Sequence, residues 1–292
     1  MSRLLRRLQG FKDYLRLLTS HKMGVVGVLI FVIFSIVAIF APYLRTVDPL
    51  RWGLPANVLL PPSTKFWLGT DFMARDIWSQ VLFGSRVSLL IGFLAAIFAV
   101  SIGTLVGLIA GYFGGRFEEL LMRLVDFFMM LPWLPLMIVL AALFGRSMWN
   151  IILVIGITYW PSTARVIRAQ VLSLKARPFV EASRSVGASD GLLIFGEIMP
   201  NVVPIIFAQA ILLVTWAISA EAVLAFLGLG DPNTMSWGMM LNSAFASGLM
   251  TVTPWWVIPP IACIAILIIG FTFLGTAVSD IIKPGYREER GL

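Results

Sequence analysis

The sequence predicts an all-α integral membrane protein with six transmembrane helices, and two observations support this prediction. Of the 292 residues, 59% are hydrophobic and only 13% are charged, whereas soluble domains usually carry about 25% charged residues. The charged residues are also clustered. The uncharged runs between them are long enough to cross about 30 Å of hydrocarbon, which takes a helix of about 20 residues.

Five uncharged runs each have a length suited to one membrane span. The first begins after Lys22 and is long enough to cross, so we expect a retained helix instead of a cleaved signal peptide. The five runs cover residues 23–44, 87–115, 127–145, 147–164 and 198–220.

A sixth uncharged run, residues 232–279, is too long for one helix that rises about 1.5 Å per residue. Its second half, about 255–276, begins with Trp255 and Trp256, which suit a membrane–water interface, and we place the sixth span there. Its first half is richer in Asn, Ser and Gly. We expect a scoop-like external segment between helices 5 and 6, which lipid would tolerate only where protein or water covers its backbone.

The placement of Lys and Arg predicts the orientation of the chain. With the N-terminus inside and six spans, sixteen of the 22 Lys and Arg residues lie on the cytoplasmic side. Because cytoplasmic loops are enriched in these residues, we expect both termini to be cytoplasmic. The other six fall on the external side, at Arg45, Arg51, Lys65, Arg75, Arg86 and Arg146.

Four parts follow from this topology. They are a basic cytoplasmic N-terminal segment (1–22), a first helix with its external loop (23–86), a five-helix core (87–280) with a cytoplasmic loop at about 165–200, and a cytoplasmic C-terminal tail (281–292).

The cytoplasmic loop has the pattern of two short helices. Pro178 can begin the first and Gly187 can end it; Ser189 or Asp190 can cap the second, and Pro200 can interrupt the chain before the next span. The apolar residues of such a pair can dock into a groove on a partner. An ordinary cytoplasmic linker fits the same pattern.

Glycines recur every fourth residue at Gly103, Gly107, Gly111 and Gly115, which places small surfaces along one side of a helix and allows close backbone approach. We favour packing inside the bundle over contact with a partner subunit. Elsewhere, Arg123 and Asp126 are spaced to pair on one helix face.

Glu221 follows one apolar run and precedes another, so we expect it at or within the membrane, where an ionisable residue is costly. It is a candidate for the translocation path, together with Trp237 and Asn242 of the scoop-like segment. The alternatives for Glu221 are a place at the external interface or a structural pairing.

The external loop carries Asp71, Arg75 and Asp76. These charges are candidates for contact with an external protein or for a gate of the channel. Solvated charges that maintain the loop are an equally good interpretation.

Within the cytoplasmic loop, Glu181, Ala182 and Ser183, followed by Gly187 and later Pro200, resemble the EAA motif of ABC-importer permeases. Two departures are Ser183, where that motif most often has Ala, and EIMP at 197–200, where Ile-x-Leu-Pro is commoner.

Nearly the whole chain resembles the C-type permease of dipeptide, oligopeptide and nickel importers. One departure is Ala74, where that family usually has Gly. The resemblance rests on an ordered series of motifs: WLGTD (67–71), RD (75–76), SRVSL (85–89), GYFGG (111–115), MRLVD (122–126), AR (164–165), Arg168, VLSL (171–174), FLGLG (226–230) and SWG (236–238).

This resemblance implies a heterodimer with a homologous B-type permease, two ABC ATPase subunits and an extracytoplasmic substrate-binding protein, in the inner (cytoplasmic) membrane of a cell. Residues 181–187 would belong to a coupling helix that enters a cleft on an ATPase subunit. ATP and Mg²⁺ would be bound by the ATPase subunits, since this chain has no Gly-Lys pair and so no phosphate-binding loop. Peptides are the expected substrate; nickel chelates and oligosaccharides are alternatives.

Other classes fit the sequence less well. The net charge of +7 comes from residues that flank apolar runs, which favours topology signals over nucleic-acid binding. A single cysteine, Cys263, and a single histidine, His21, argue against a His/Cys metal site. A secondary transporter would need coupling residues at mid-membrane, and a membrane enzyme would need a cluster of reactive side chains. A purely structural membrane subunit fits the composition, but it would not use Glu181 or Gly187 to couple transport.

Overall fold

The computed structural model describes residues 21–282, and all regular elements within that range are helices. The N-terminal segment and the C-terminal tail predicted above lie almost wholly outside the described residues. A short 3₁₀ turn at Pro55–Asn57 interrupts the loop after the first helix. We number the helices α1 Lys22–Leu44, α2 Ile77–Phe113, α3 Gly115–Met130, α4 Trp133–Phe144, α5 Met148–Lys175, α6 Pro178–Ser185, α7 Asp190–Phe226, α8 Trp237–Ala246 and α9 Pro254–Ile282.

Five helices, α1, α2, α5, α7 and α9, are long and apolar enough to cross a membrane, and α3 with α4 forms a bent pair that passes the same test together. The predicted all-α class is therefore confirmed, with five candidate spans, or six if the bent pair counts as one span. Many of the large apolar side chains on these helices are exposed on the protein surface, as expected where lipid covers the outside of a bundle.

The two ends of the bundle are distinguished by their loops. We call the end that holds residues 45–76 the loop end, and the opposite end, where α6 lies, the α6 end. Trp78, near the start of α2, donates a hydrogen bond to the carbonyl of Leu44 at the loop end. Lys175, the last residue of α5, donates to the carbonyl of Tyr112 at the α6 end. Helices α2 and α5 therefore run parallel, and α3–α4 returns the chain between them.

The glycine series packs α2 against α5. A methyl group added to Gly103 or Gly107 would lie 2.6 Å from a backbone carbonyl oxygen of α5, and one added to Gly111 would lie 2.8 Å from Val171. Internal packing, as predicted, is thus confirmed for these three glycines. Gly115 is an exception, since no atom lies within 4 Å of its added methyl group. It begins α3 with a positive φ of 61°.

The third predicted span, residues 127–145, is not one helix. It bends by 90° between α3 and α4. The bend lies at Leu131 and Pro132, both of which have extended backbone angles. Because proline disfavours the helical conformation in the residue before it, the helix ends there. Most of α3 lies before the predicted span and carries several charged residues on an amphipathic surface.

The predicted pairing of Arg123 with Asp126 is wrong. Arg123 instead pairs with Glu119, one turn earlier on α3, while Asp126 pairs with Arg165 of α5. A spacing of three residues permitted the predicted pair, but a partner on a neighbouring helix cannot be seen in a local pattern.

Three helices extend beyond the predicted spans. Helix α2 begins at Ile77 instead of residue 87, α5 continues to Lys175 instead of residue 164, and α7 begins at Asp190. The predicted loop of residues 165–200 is therefore reduced to 176–189, with α6 inside it. The predicted bounds were set at charged residues, which mark where a helix leaves the lipid. The helix itself can continue beyond them into water.

Pro200 does not interrupt the chain, contrary to the prediction. The residues before it, Leu193–Ile198, form a π-helical stretch, and the helix then continues through Met199–Phe226. Such a stretch often lies beside the place where a side chain disturbs the regular hydrogen bonds of a helix, as the missing N–H of proline does.

The first half of the sixth uncharged run contains helix α8, which packs against α7, α9 and α2. Its backbone is thus covered by protein on several sides, as a re-entrant segment requires. Its depth in a membrane stays a prediction.

Candidate functional site

Helix α6 lies at the α6 end, where α2, α5 and α7 meet. Pro178 occupies its first turn, where the missing N–H of proline costs no hydrogen bond. Val180 is fully buried and belongs to an apolar cluster that includes Leu108 of α2, Ile167 of α5 and Leu193 of α7. This buried side chain anchors α6 in a cluster that the three long helices share, and α6 itself packs against α5 and the beginning of α7.

The other side of α6 and its flanking residues present apolar groups to solvent. Phe179 is 40% exposed and Val186 is 86% exposed. Leu192 and Phe195, on the first turns of α7, are exposed as well. Because these four apolar side chains are exposed to solvent, they form a surface suited to binding a partner protein.

Gly187 ends the α6 segment in a conformation that favours glycine, with φ at +85°. Two backbone hydrogen bonds hold the turn, from the N–H of Gly187 to Arg184 and from the N–H of Ala188 to Ser183. The hydroxyl of Ser189 then accepts a bond from the N–H of Leu192 and caps α7, as predicted.

The five residues predicted to couple to an ATPase are placed unequally. Glu181 and Ala182 are exposed on α6, and Gly187 is exposed in the turn that follows. Ser183 is half-buried, with its hydroxyl 3.5 Å from a carboxylate oxygen of Glu197. Pro200 is also exposed, but it lies inside α7 and not in the α6 loop.

The residues predicted for the translocation path meet where α2, α7 and α8 pack together. Glu221 of α7 is 1% exposed, and the hydroxyl of Ser88 donates to its carboxylate at 3.0 Å. Ser236, which caps α8, lies close to the same carboxylate. The hydrogen bond from Ser88 ties α7 to α2 at a buried carboxylate, which is the structural pairing weighed above.

Trp237 and Asn242 also make contacts within the protein. The ring N–H of Trp237 donates to the carbonyl of Val81 at 3.0 Å, and the ring is fully buried. The amide of Asn242 donates to the carbonyl of Phe226 at 2.6 Å, at the end of α7. The role of these residues in a translocation path stays a prediction.

The three candidate charges of the long loop, residues 45–76, are buried. Asp71 is fully buried and forms an ion pair with Arg75 at 2.9 Å. Asp76 caps α2 by accepting from the N–H of Ser79, and it also accepts from the hydroxyl of Thr46 at 2.6 Å. The interpretation of these charges as solvated is therefore wrong, although they do maintain the loop. Contact with a partner or a gate stays a prediction.

One set of residues that the sequence analysis left without a role lies beneath α6. The hydroxyl of Tyr112, at the end of α2, donates to the carboxylate of Asp190 on the first turn of α7. Lys175 at the end of α5 donates to the backbone carbonyl of Tyr112. The available signal was the GYFGG motif at 111–115, which contributed to the resemblance without a physical explanation.

Comparisons with known proteins agree with this architecture. Residues 103–288 match the family described as the binding-protein-dependent transport system inner membrane component. Residues 11–62 match the N-terminal transmembrane domain of oligopeptide transport permease C.

Several relatives align with this chain over about nine-tenths of their own length. The oligopeptide transport system permease protein OppC of Bacillus subtilis is 36% identical over 279 residues, which cover 95% of this chain and 90% of the relative. The dipeptide transport system permease protein DppC of Alkalihalophilus pseudofirmus is 35% identical, over 94% of this chain and 90% of the relative. The probable D,D-dipeptide transport system permease protein DdpC of Escherichia coli is 36% identical, over 92% and 89%.

The bundle of membrane-crossing helices, the family match over residues 103–288 and these alignments lead to one assignment. This chain is a multi-pass membrane protein that belongs to the family of inner membrane components of binding-protein-dependent transport systems, as one of its permease subunits.

Proposed function

We propose that this chain is one of two permease subunits of an ATP-driven ABC importer for di- or oligopeptides. It forms half of the translocation path beside a homologous second permease. Two ATPase subunits bind ATP and Mg²⁺ and carry out hydrolysis, and an extracytoplasmic binding protein delivers the substrate. The relatives named for oligopeptide and dipeptide transport support peptides as the substrate class.

The observation that best supports the proposal is that α6 has one buried apolar side and one exposed apolar side. Val180 anchors the helix in the apolar cluster beneath it, while Phe179 and Val186 are exposed on the helix and its C-terminal flank. A partner that moves α6 therefore moves the end of α5 and the beginning of α7, against which α6 packs. This is the property that a coupling helix needs when ATP-driven closure of the ATPase subunits switches the path from inward-facing to outward-facing.

The charge distribution supports a cytoplasmic position for the α6 end and for both termini. The α6 end carries the basic residues of the α5 terminus and of α6, such as Lys175, Arg177 and Arg184. Because ATP is cytoplasmic, this is also the side where an ATPase subunit can bind α6.

The test uses the complex purified in mild detergent through a tag on this chain. We expect a second permease and ATPase subunits to co-purify with the wild-type chain. Val186→Ser removes exposed apolar surface from the docking region, and we expect ATPase retention to fall by at least about fivefold, as loss of a docking contact worth about 1 kcal/mol would cause. Val252→Ser, the same change at an exposed valine of the loop end, is the matched control.

A second variant tests coupling instead of assembly. Glu181→Ala leaves the buried anchor of α6 intact, so we expect the ATPase subunits to be retained while peptide uptake per ATP hydrolysed falls. If the purified chain transports peptide without any ATPase partner, the proposal is refuted and a secondary carrier takes its place.

A further inference from the structure

Tyr112 joins two helices at a place where their ends would otherwise be separate. It is the penultimate residue of α2 and is only 4% exposed. Its hydroxyl donates to the carboxylate of Asp190, which lies 78 residues later at the beginning of α7. Hydrogen bonds to a carboxylate are stronger than neutral ones, and the tyrosine side of this one is buried while Asp190 is exposed.

Lys175 holds the tyrosine from a third helix. Its ammonium group donates to the backbone carbonyl of Tyr112 and also lies over the tyrosine ring, 5.6 Å from the ring centroid. This carbonyl is in the last turn of α2, where no later residue of the helix is available to donate to it. The contact therefore fixes the end of α5 to the end of α2.

Helix α6 contacts the same tyrosine. The guanidinium of Arg184, on the last turn of α6, lies close to the hydroxyl of Tyr112. Val180, on the same helix, lies in the apolar cluster that contains the tyrosine ring. Four elements, α2, α5, α6 and α7, thus meet at one residue, and two of the contacts, with Asp190 and with Lys175, are hydrogen bonds.

From this geometry we propose that Tyr112 is a positioning residue for coupling: it transmits a displacement of α6 to α2 through its contacts with Asp190 and Arg184. This rests on the proposed function, in which an ATPase subunit moves α6. The hydroxyl is the essential part, because the apolar cluster beneath α6 would remain after its removal. Tyr112→Phe should therefore leave assembly intact and separate the movement of α6 from that of α2.

The experiment compares hydrogen exchange in the co-purified complex with and without ATP and vanadate, which traps the closed ATPase. In the wild-type complex, exchange should change by at least about fivefold in both α6 and the last two turns of α2, as a typical coupling free energy implies. In the Tyr112→Phe complex, the change in α6 should persist and the change in α2 should fall below about twofold. ATP hydrolysis should continue.

Four further variants distinguish transmission of movement from a loss of stability. Tyr159→Phe is the matched control, because the buried hydroxyl of Tyr159 has no hydrogen-bond partner within residues 21–282. Asp190→Asn keeps an acceptor oxygen and should preserve most of the response of α2, whereas Asp190→Ala should behave like Tyr112→Phe. The double variant Tyr112→Phe/Asp190→Ala should show the same nucleotide-dependent change of exchange in α2 as the Asp190→Ala single variant, because both substitutions remove the same hydrogen bond.

The outcomes distinguish the two proposals. If α6 does not respond to nucleotide in the wild-type complex, the proposed coupling function itself is refuted. If α6 and α2 both respond in the wild-type complex and respond equally in the Tyr112→Phe complex, the coupling function stands and the role of Tyr112 is overturned.

Discussion

The buried ion pair of the long loop yields a prediction with a magnitude. One carboxylate oxygen of Asp71 accepts from the N–H groups of Met73 and Arg75 at 2.8 and 2.9 Å. The other accepts from the Arg75 side chain at 2.9 Å and from the Gln80 amide at 3.0 Å. In Asp71→Asn the first oxygen keeps its bonds, but the new amide group faces two donors and Arg75 loses its counter-charge.

Removing one partner of a buried ion pair costs about 3–5 kcal/mol. The Arg75 side chain is 9% exposed, so water can reach it in part and we take the lower end, about 3 kcal/mol. That corresponds to about a hundredfold increase in the population of the opened loop. Hydrogen exchange of the amides of residues 70–77 measures this population directly, because local opening exposes them.

Asp48→Asn is the control in the same loop. Asp48 pairs with Arg45 at 3.7 Å, and both side chains are exposed. Asp48→Asn should therefore lower the free energy of opening the loop by at most about 1 kcal/mol. Equal exchange in the two variants would refute the argument from burial. Unchanged exchange in Asp71→Asn together with lost transport would instead support contact with a partner protein.

Three other predictions concern packing and the buried acid. Gly107→Ala puts a methyl group 2.6 Å from a backbone oxygen and should cost about 1–3 kcal/mol of stability; thermal unfolding in detergent should show this, while Gly191→Ala, with open space around it, should not lower the midpoint. Ala74 has a φ of +57°, so Ala74→Gly should relieve about 1 kcal/mol of backbone strain and slow exchange in the long loop; faster exchange would contradict this. Glu221→Gln keeps an acceptor for the hydroxyl of Ser88 and should preserve assembly and uptake, whereas Glu221→Leu should weaken both; loss of uptake alone in Glu221→Gln would show that the charge itself is needed.

The length and hydropathy of the uncharged runs predicted the candidate membrane spans, because a span requires mainly a long apolar run. The first predicted span, 23–44, agrees with α1 to within one residue at its start. Local signals also predicted the start and end of α6, since Pro178 and Gly187 act through their own backbone restrictions.

Features that depend on another helix could not be predicted in this way. Asp126 pairs with an arginine 39 residues away, and Tyr112 with an aspartate 78 residues away. Ala74, where the resembling family usually has glycine, is by contrast a feature that the local sequence did mark. The resemblance singled out this position because glycine is usual there, and the positive φ supplies the physical reason.

The contacts of α2 indicate which parts of the bundle can move separately. Its middle packs on α5 through Gly103 and Gly107, backbone against backbone, where no side chain can rearrange to permit sliding. By contrast, α3 contacts α5 through surface ion pairs such as Asp126 with Arg165, which are individually weak, and through the ring of Phe128 against Trp160, and it joins α4 through an extended backbone break. Since packed interfaces shift between discrete arrangements and do not deform continuously, we expect α2 and α5 to move as one body. A displacement that reaches the end of α2 would then be delivered along both helices, and α3–α4 would be the part of the bundle that adjusts to it.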